Sequence, residues 1–196
     1  MSVNVLVIPE DFRKDEAVML PLVRKLMESV GVKARVTVCK DPLLGGVSEA
    51  LKWERIETVI EKYWGMVQLY LLLVDKDCED GRVDALTRLE GLAAKKMEGH
   101  DWAFIGENAW QEVEVWVLAG MKDLPSDWSW ATIRQERDPK EAYYEPYVEL
   151  REMSGLPDQG RRKLALEAAK NFSRVRKLCK DDIGRLEARI ELALGR

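Results

Sequence analysis

The sequence has no apolar stretch approaching the roughly 18 to 20 residues of a membrane span. Its opening, MSVNVLVIPED, carries neither a basic leader region nor a small-residue cleavage motif. A cytoplasmic protein with no membrane partner is expected. Cysteine is scarce: Cys39, Cys78 and Cys179 are odd in number, far apart and in no C-x-x-C pair, which argues against a disulfide framework or a zinc knuckle and for free thiols. Histidine is scarcer. His100 is the only one, so Ser-His-Asp and Cys-His chemistry finds little support. Neither G-x-x-x-x-G-K-S/T nor G-x-G-x-x-G occurs, which argues against independent ATP hydrolysis and dinucleotide binding. A net charge of -4 over 196 residues also lacks the basic balance of a dedicated nucleic-acid clamp.

What is present is an alternation of short apolar runs and amphipathic segments. Val3 to Pro9 reads as a buried strand, and Met19, Val23, Leu26, Met27 and Val30 recur at helical spacing until Gly31. Pro21 is expected to kink that helix or to sit in its first turn. Ala34, Val36 and Val38 alternate with polar residues as in a half-exposed strand, and a helix is predicted over about Ser48 to Tyr63. Met66 to Val74, MVQLYLLLV, is the most apolar run and fits a central strand covered on both faces. Val83, Leu86, Leu89 and Ala93 mark a further helix, Trp102 to Gly106 a short strand, and QEVEVWVLAG a helix. This order predicts an α/β fold with a mainly parallel central sheet flanked by helices. Residues 1–120 form the core. Residues 121–196 form a proline- and aromatic-rich excursion followed by C-terminal helices, a helical appendage packed on that core.

In such a sheet the carboxyl ends of the strands deliver side chains to one crevice. Glu10 and Asp75 each follow a buried strand there. Asp77 points to the same side if strand geometry persists, and Glu79 and Asp80 extend the acidic loop. Two carboxylates about 4 Å apart repel by roughly 4 kcal/mol at an effective dielectric near 20, so the group needs a proton or a hard cation such as Mg²⁺. An acidic turn held only for solubility is the competing explanation.

The pattern of one Glu after the first strand and D-x-D after a later buried strand resembles the Toprim fold of topoisomerases, primases and nucleases of the overcoming-lysogenization-defect type. VLVIPEDFRKDE, LLLVDKDCEDG, EVEVWVLAG and the G-R-R-K helix opening at Gly160 make the whole chain similar to small bacterial Toprim-like proteins, some encoded beside ATPases in antiviral defence operons. The resemblance implies Mg²⁺ or Mn²⁺ held by Glu10, Asp75, Asp77 and Asp80. Glu10, Asp75, Asp77 and Glu112 would then carry phosphodiester chemistry, with Glu112 placed ahead of Glu114. Two positions depart from the family pattern: Asp11 stands where a glycine is usual, and Gly81 lies one residue late.

Between Arg161 and Lys180 the charged residues are basic except Glu167. Arg162, Lys163, Lys170 and Arg174 are therefore the candidate contacts to DNA or RNA, the first two at a helix start that also favours anions. Trp128, Trp130 and Tyr144 are candidates for base stacking, although aromatics in such a segment more often serve the core. Two functions stay open. One is a metal-dependent nuclease. The other is a non-catalytic interaction subunit that docks through the basic helix and the tryptophan-rich excursion on an ATPase or on a second copy of itself.

Overall fold

In a computed structural model describing residues 2–196, four parallel strands stand in the order β2-β1-β3-β4. They are β1 (Val3–Pro9), β2 (Ala34–Val38), β3 (Leu69–Asp75) and β4 (Ala103–Ala109). Val5 pairs with Val36 on one side and with Leu69 on the other, and Asp75 lies opposite Ala109. The two most apolar runs are thus neighbours, and their carboxyl ends open on the same edge.

Both faces of the sheet are covered, which explains why β1 and β3 read as unbroken apolar runs. Val5, Val7, Leu69, Leu71 and Leu73 point into one apolar cluster, and Leu6, Ile8, Tyr70, Leu72 and Val74 into the other. The first cluster is closed by α1 (Phe12–Ser29), α5 (Glu114–Gly120), α8 (Arg161–Lys170) and α9 (Phe172–Leu178). The second is closed by α3 (Trp53–Lys62) and α4 (Arg82–Lys96). Leu164, Ala165, Ala168 and Val175 share a core with β1 and β3, so the later helices complete the main fold. Gly120 makes this possible: a Cβ there would lie 2.4 Å from the Ala168 backbone, so α5 and α8 touch main chain to main chain.

Several predicted boundaries move. The helix expected over Ser48 to Tyr63 is two, α2 (Val47–Ala50) and α3, and Pro21 lies well inside α1. β4 runs past Gly106 to Ala109, carrying the polar Glu107 and Asn108, which is why its apolar signal stopped early. The aromatic-rich excursion holds α6 (Trp130–Gln135) and a π-helical turn, Lys140–Tyr144, leading into α7 (Glu145–Leu150). Among the described residues, no helix is long and apolar enough to cross a membrane. Cys39, Cys78 and Cys179 are free thiols.

The outer edge of β4 is closed by side chains of the same chain. The Gly106 N–H donates to Glu90 Oε1 (2.7 Å), and the Gly106 carbonyl accepts from Arg189 Nη1 (2.7 Å). The Asn108 N–H donates to Glu107 Oε1, and that carboxylate is held by Arg185. Arg185 and Arg189 both come from α10 (Arg185–Ala193), which follows a second π-helical turn. Three of the backbone groups that would template a further strand are thereby occupied.

Candidate metal centre

The carboxyl edge gathers acidic side chains from four places. Glu10 follows β1, the first turn of α1 carries Asp15, β3 ends in Asp75, and the passage from β4 into α5 supplies Glu112 in the turn and Glu114 at the start of the helix. Among the described residues, Asp75, Glu112 and Glu114 offer carboxylate oxygens that all lie within 4.8 Å of one another. Adjacent ligands of an octahedral Mg²⁺ are about 3.0 Å apart and opposite ones about 4.2 Å, from bonds near 2.1 Å, so the side chains would have to draw together to close this group on an ion. An all-oxygen donor set suits Mg²⁺ or Mn²⁺.

Each acid is anchored by one oxygen. Asp75 Oδ1 accepts from the Val113 N–H (2.9 Å), Glu112 Oε2 from the Lys140 N–H (2.8 Å) and Glu10 Oε1 from the Asp75 N–H (2.7 Å). Glu114 Oε1 accepts from Arg161 Nη1 (2.6 Å). The second oxygen of each makes no hydrogen bond among the described residues. Lys140 opens a helical turn, so its free amide also favours a negative partner.

Crowding raises the affinity of this edge for protons. Burial pushes Glu10 up to about 7 against the opposing Asp75 amide, with Asp77 and Asp15 adding repulsion. Burial likewise raises Glu112 to about 7 and Asp15 to about 6. Asp75 is raised well above the ordinary carboxylate range by burial first and then by Glu114, Glu10, Asp15 and Asp77. Near neutral pH the group therefore holds protons or a cation, because the charges are too close to stand together unscreened.

Asp77, expected beside Asp75, is not part of the group within 4.8 Å. β3 ends at Asp75, and both Asp77 (φ 49°) and Cys78 (φ 57°) are left-handed, which breaks the alternation that would have kept Asp77 beside Asp75. Gln111, itself at φ 65°, fixes this turn: its carbonyl accepts from the Lys76 and Asp77 amides, and its Oε1 accepts from the Cys78 amide. Strained backbone held by so many bonds is over-determined by its surroundings. Asp77 instead accepts from Arg82 Nη2 (3.1 Å), and Asp80 lies exposed outside the cluster. Glu114, placed second by the sequence, belongs to the converging group. Asp11 caps α1 by accepting from the Arg13 N–H (3.0 Å), which accounts for an acid at the position of the expected glycine.

Arg162, Lys163 and Lys170 lie at the surface of α8, whereas Arg174 is half-buried and donates to the Met121 carbonyl (3.2 Å). The three aromatics proposed for stacking are structural. Tyr144 is buried at 2% exposure, Trp128 packs edge-on against Tyr143, and Trp130 Nε1 donates to the Leu178 carbonyl (3.1 Å). Sequence reasoning missed Asp15, Gln111 and Arg161. Only Arg161 carries a signal, as part of the basic run.

Fold and site together define an α/β protein with a four-stranded parallel sheet and a carboxylate cluster at its carboxyl edge. No protein-family model, curated protein or solved structure matches this chain.

Proposed function

We propose that this chain is a Toprim-like, divalent-metal-dependent phosphodiester-processing protein, a nuclease acting on DNA or RNA in antiviral defence. The observation that carries the reading is the convergence of Asp75 with Glu112 and Glu114, whose carboxylate oxygens approach closely enough to share an ion. Support comes also from the adjacency of β1 and β3, which brings Glu10 to the same edge. A bound Mg²⁺ or Mn²⁺ would polarise a phosphate and lower the pKa of a water. Glu10, at the same edge but outside the group that would hold the ion, would accept a proton from that water. The surface residues Arg162, Lys163 and Lys170 would hold the nucleic-acid backbone.

Cleavage of single- and double-stranded DNA and RNA in Mg²⁺ and in Mn²⁺ tests the reading. Activity in the native protein that is lost in Asp75→Asn is expected, and metal-independent or Asp75-independent cleavage would refute it. A second reading, a docking subunit of an ATPase-containing complex, is favoured by the ion pairs Glu114–Arg161 and Asp77–Arg82, which already satisfy two acids without a metal. Under it no nucleic acid is cut, alone or with a co-purified ATPase, and Asp75→Asn is silent.

A further inference from the structure

Arg161 opens α8 directly after Gly160, whose left-handed backbone (φ 72°) packs against Met153 where a Cβ would lie 2.9 Å from the Met153 side chain. This junction turns Arg161 inward, away from the basic surface residues that follow it. Its guanidinium donates from Nη1 to Glu114, stands 3.8 Å from Asp15, and lies 5.9 Å from the centre of the Tyr144 ring. Two polar atoms in this wall have no partner although both are buried: Arg161 Nε and the Tyr144 hydroxyl. Tyr144 is almost wholly withdrawn from solvent, and the charges of Arg161 and Glu114 both bear on its hydroxyl. Buried polar atoms without partners are uncommon, and both an N–H and an O–H donor are matched by an acceptor oxygen.

We propose that Arg161 and Tyr144 form an oxyanion subsite beside the carboxylate cluster, one that takes a phosphate oxygen of the ligand whose other oxygen faces the metal. The inference rests on the metal-dependent reading above and adds to it the group that binds the substrate phosphate. Arg161 is then a substrate-binding residue whose contact with Glu114 is the arrangement of the unliganded site. A guanidinium suits the role because it stays charged and offers several donors in one plane. Its position predicts opposite effects on two ligands: removing its charge frees Glu114 for a metal but strips the phosphate of its donor.

Calorimetric titration distinguishes metal binding from phosphate binding. Mg²⁺ is titrated alone, and inorganic phosphate and a thymidine dinucleotide are titrated with and without Mn²⁺, for the native protein, Arg161→Lys, Arg161→Gln and Tyr144→Phe. Arg161→Gln is expected to bind Mg²⁺ at least as tightly as the native protein, while Arg161→Lys and Tyr144→Phe weaken phosphate or dinucleotide binding about tenfold or more, the loss typical of a hydrogen bond to a charged group. Tyr144→Phe removes an unpartnered hydroxyl without changing shape, so its melting temperature should not fall, and it keeps the test valid if the Arg161 variants unfold. Binding of the dinucleotide but not of free phosphate would support the subsite and assign it to a nucleic-acid chain. Intact Mg²⁺ binding with phosphate affinities equal in all four proteins, or absent in the native one, would overturn the subsite and leave the metal reading standing. Absence of Mg²⁺ binding would overturn the metal reading, and phosphate binding insensitive to Arg161 and Tyr144 in the metal-free arm would then overturn the subsite as well.

Discussion

Replacing Asp75 by Asn changes the charge of the cluster while keeping the oxygen that accepts from the Val113 N–H. In the metal-free protein, ionised carboxylate oxygens no more than 4.8 Å apart repel by about 3.5 kcal/mol or more at an effective dielectric near 20, and the fold relieves this by retaining protons. Folded pKa values above the unfolded ones mean that the full stability is present below about pH 4 and is lost as pH rises through the folded values. Those are about 6 for Asp15 and about 7 for Glu10 and Glu112, and Asp75 is raised well above the ordinary carboxylate range. Glu10 alone, moving from 4.5 to about 7, accounts for about 3 kcal/mol of that loss. Asp75→Asn deletes one such group and one repelling neighbour of Glu10, so its metal-free melting temperature at pH 8 should equal or exceed that of the native protein. Mg²⁺ at a hundred times its Kd should stabilise the native protein by about 2.7 kcal/mol, or roughly 5–10 °C for a domain of this size, and the Asp75→Asn protein by less than a third of that. Thermal unfolding followed by circular dichroism at pH 5 and pH 8, with and without Mg²⁺, measures all four quantities. Equal metal responses in the two proteins, or a metal-free native protein more stable at pH 8 than at pH 5, would refute the reasoning.

Alanine at Arg162, Lys163 and Lys170 should weaken nucleic-acid binding and flatten its dependence on salt by about one unit for each phosphate no longer neutralised, as measured by fluorescence anisotropy across a salt series. Gly120→Ala forces a Cβ to within 2.4 Å of the Ala168 backbone and should cost about 3 kcal/mol or more, seen as a reduced midpoint in urea; a neutral outcome would mean that α5 and α8 do not meet as described. Asp77→Asn should reduce Mg²⁺ affinity less than Asp75→Asn does, because Asp77 is turned to Arg82, and calorimetry that ranks them the other way would restore the D-x-D arrangement. Arg189→Ala uncovers the Gly106 carbonyl and should raise concentration-dependent association in sedimentation velocity.

The sheet was legible because its two central strands are covered on both faces and therefore carry uninterrupted apolar runs, whose neighbouring placement β1 and β3 bear out. Glu10 and Asp75 were legible for the same reason, since a charged residue directly after such a run must emerge at the edge. Asp77 was not. Its position depended on whether the strand continued for two more residues, and the left-handed turn there is imposed by Gln111, a residue 34 positions away whose uncharged side chain gives no warning. Arg161 was hidden differently. Its neighbours Arg162 and Lys163 are exposed, and one turn of backbone at Gly160 separates an inward-facing guanidinium from a solvated basic face. Glu114 stands in a run whose alternation read equally as strand, and only the start of α5 directs it toward Asp75 and Glu112.

The plugs on β4 also limit how copies of this protein can meet. With Glu90, Glu107 and Arg189 occupying the outer N–H and carbonyl of Gly106 and the N–H of Asn108, edge-to-edge pairing of sheets is obstructed on this side, and β2 stands at the opposite end of the order. A molecule joined to another through β2 would present this partly capped β4 edge outward, which works against further strand pairing. The arginines of α10 thus guard a strand edge against pairing with another chain as well as tying α10 to the sheet.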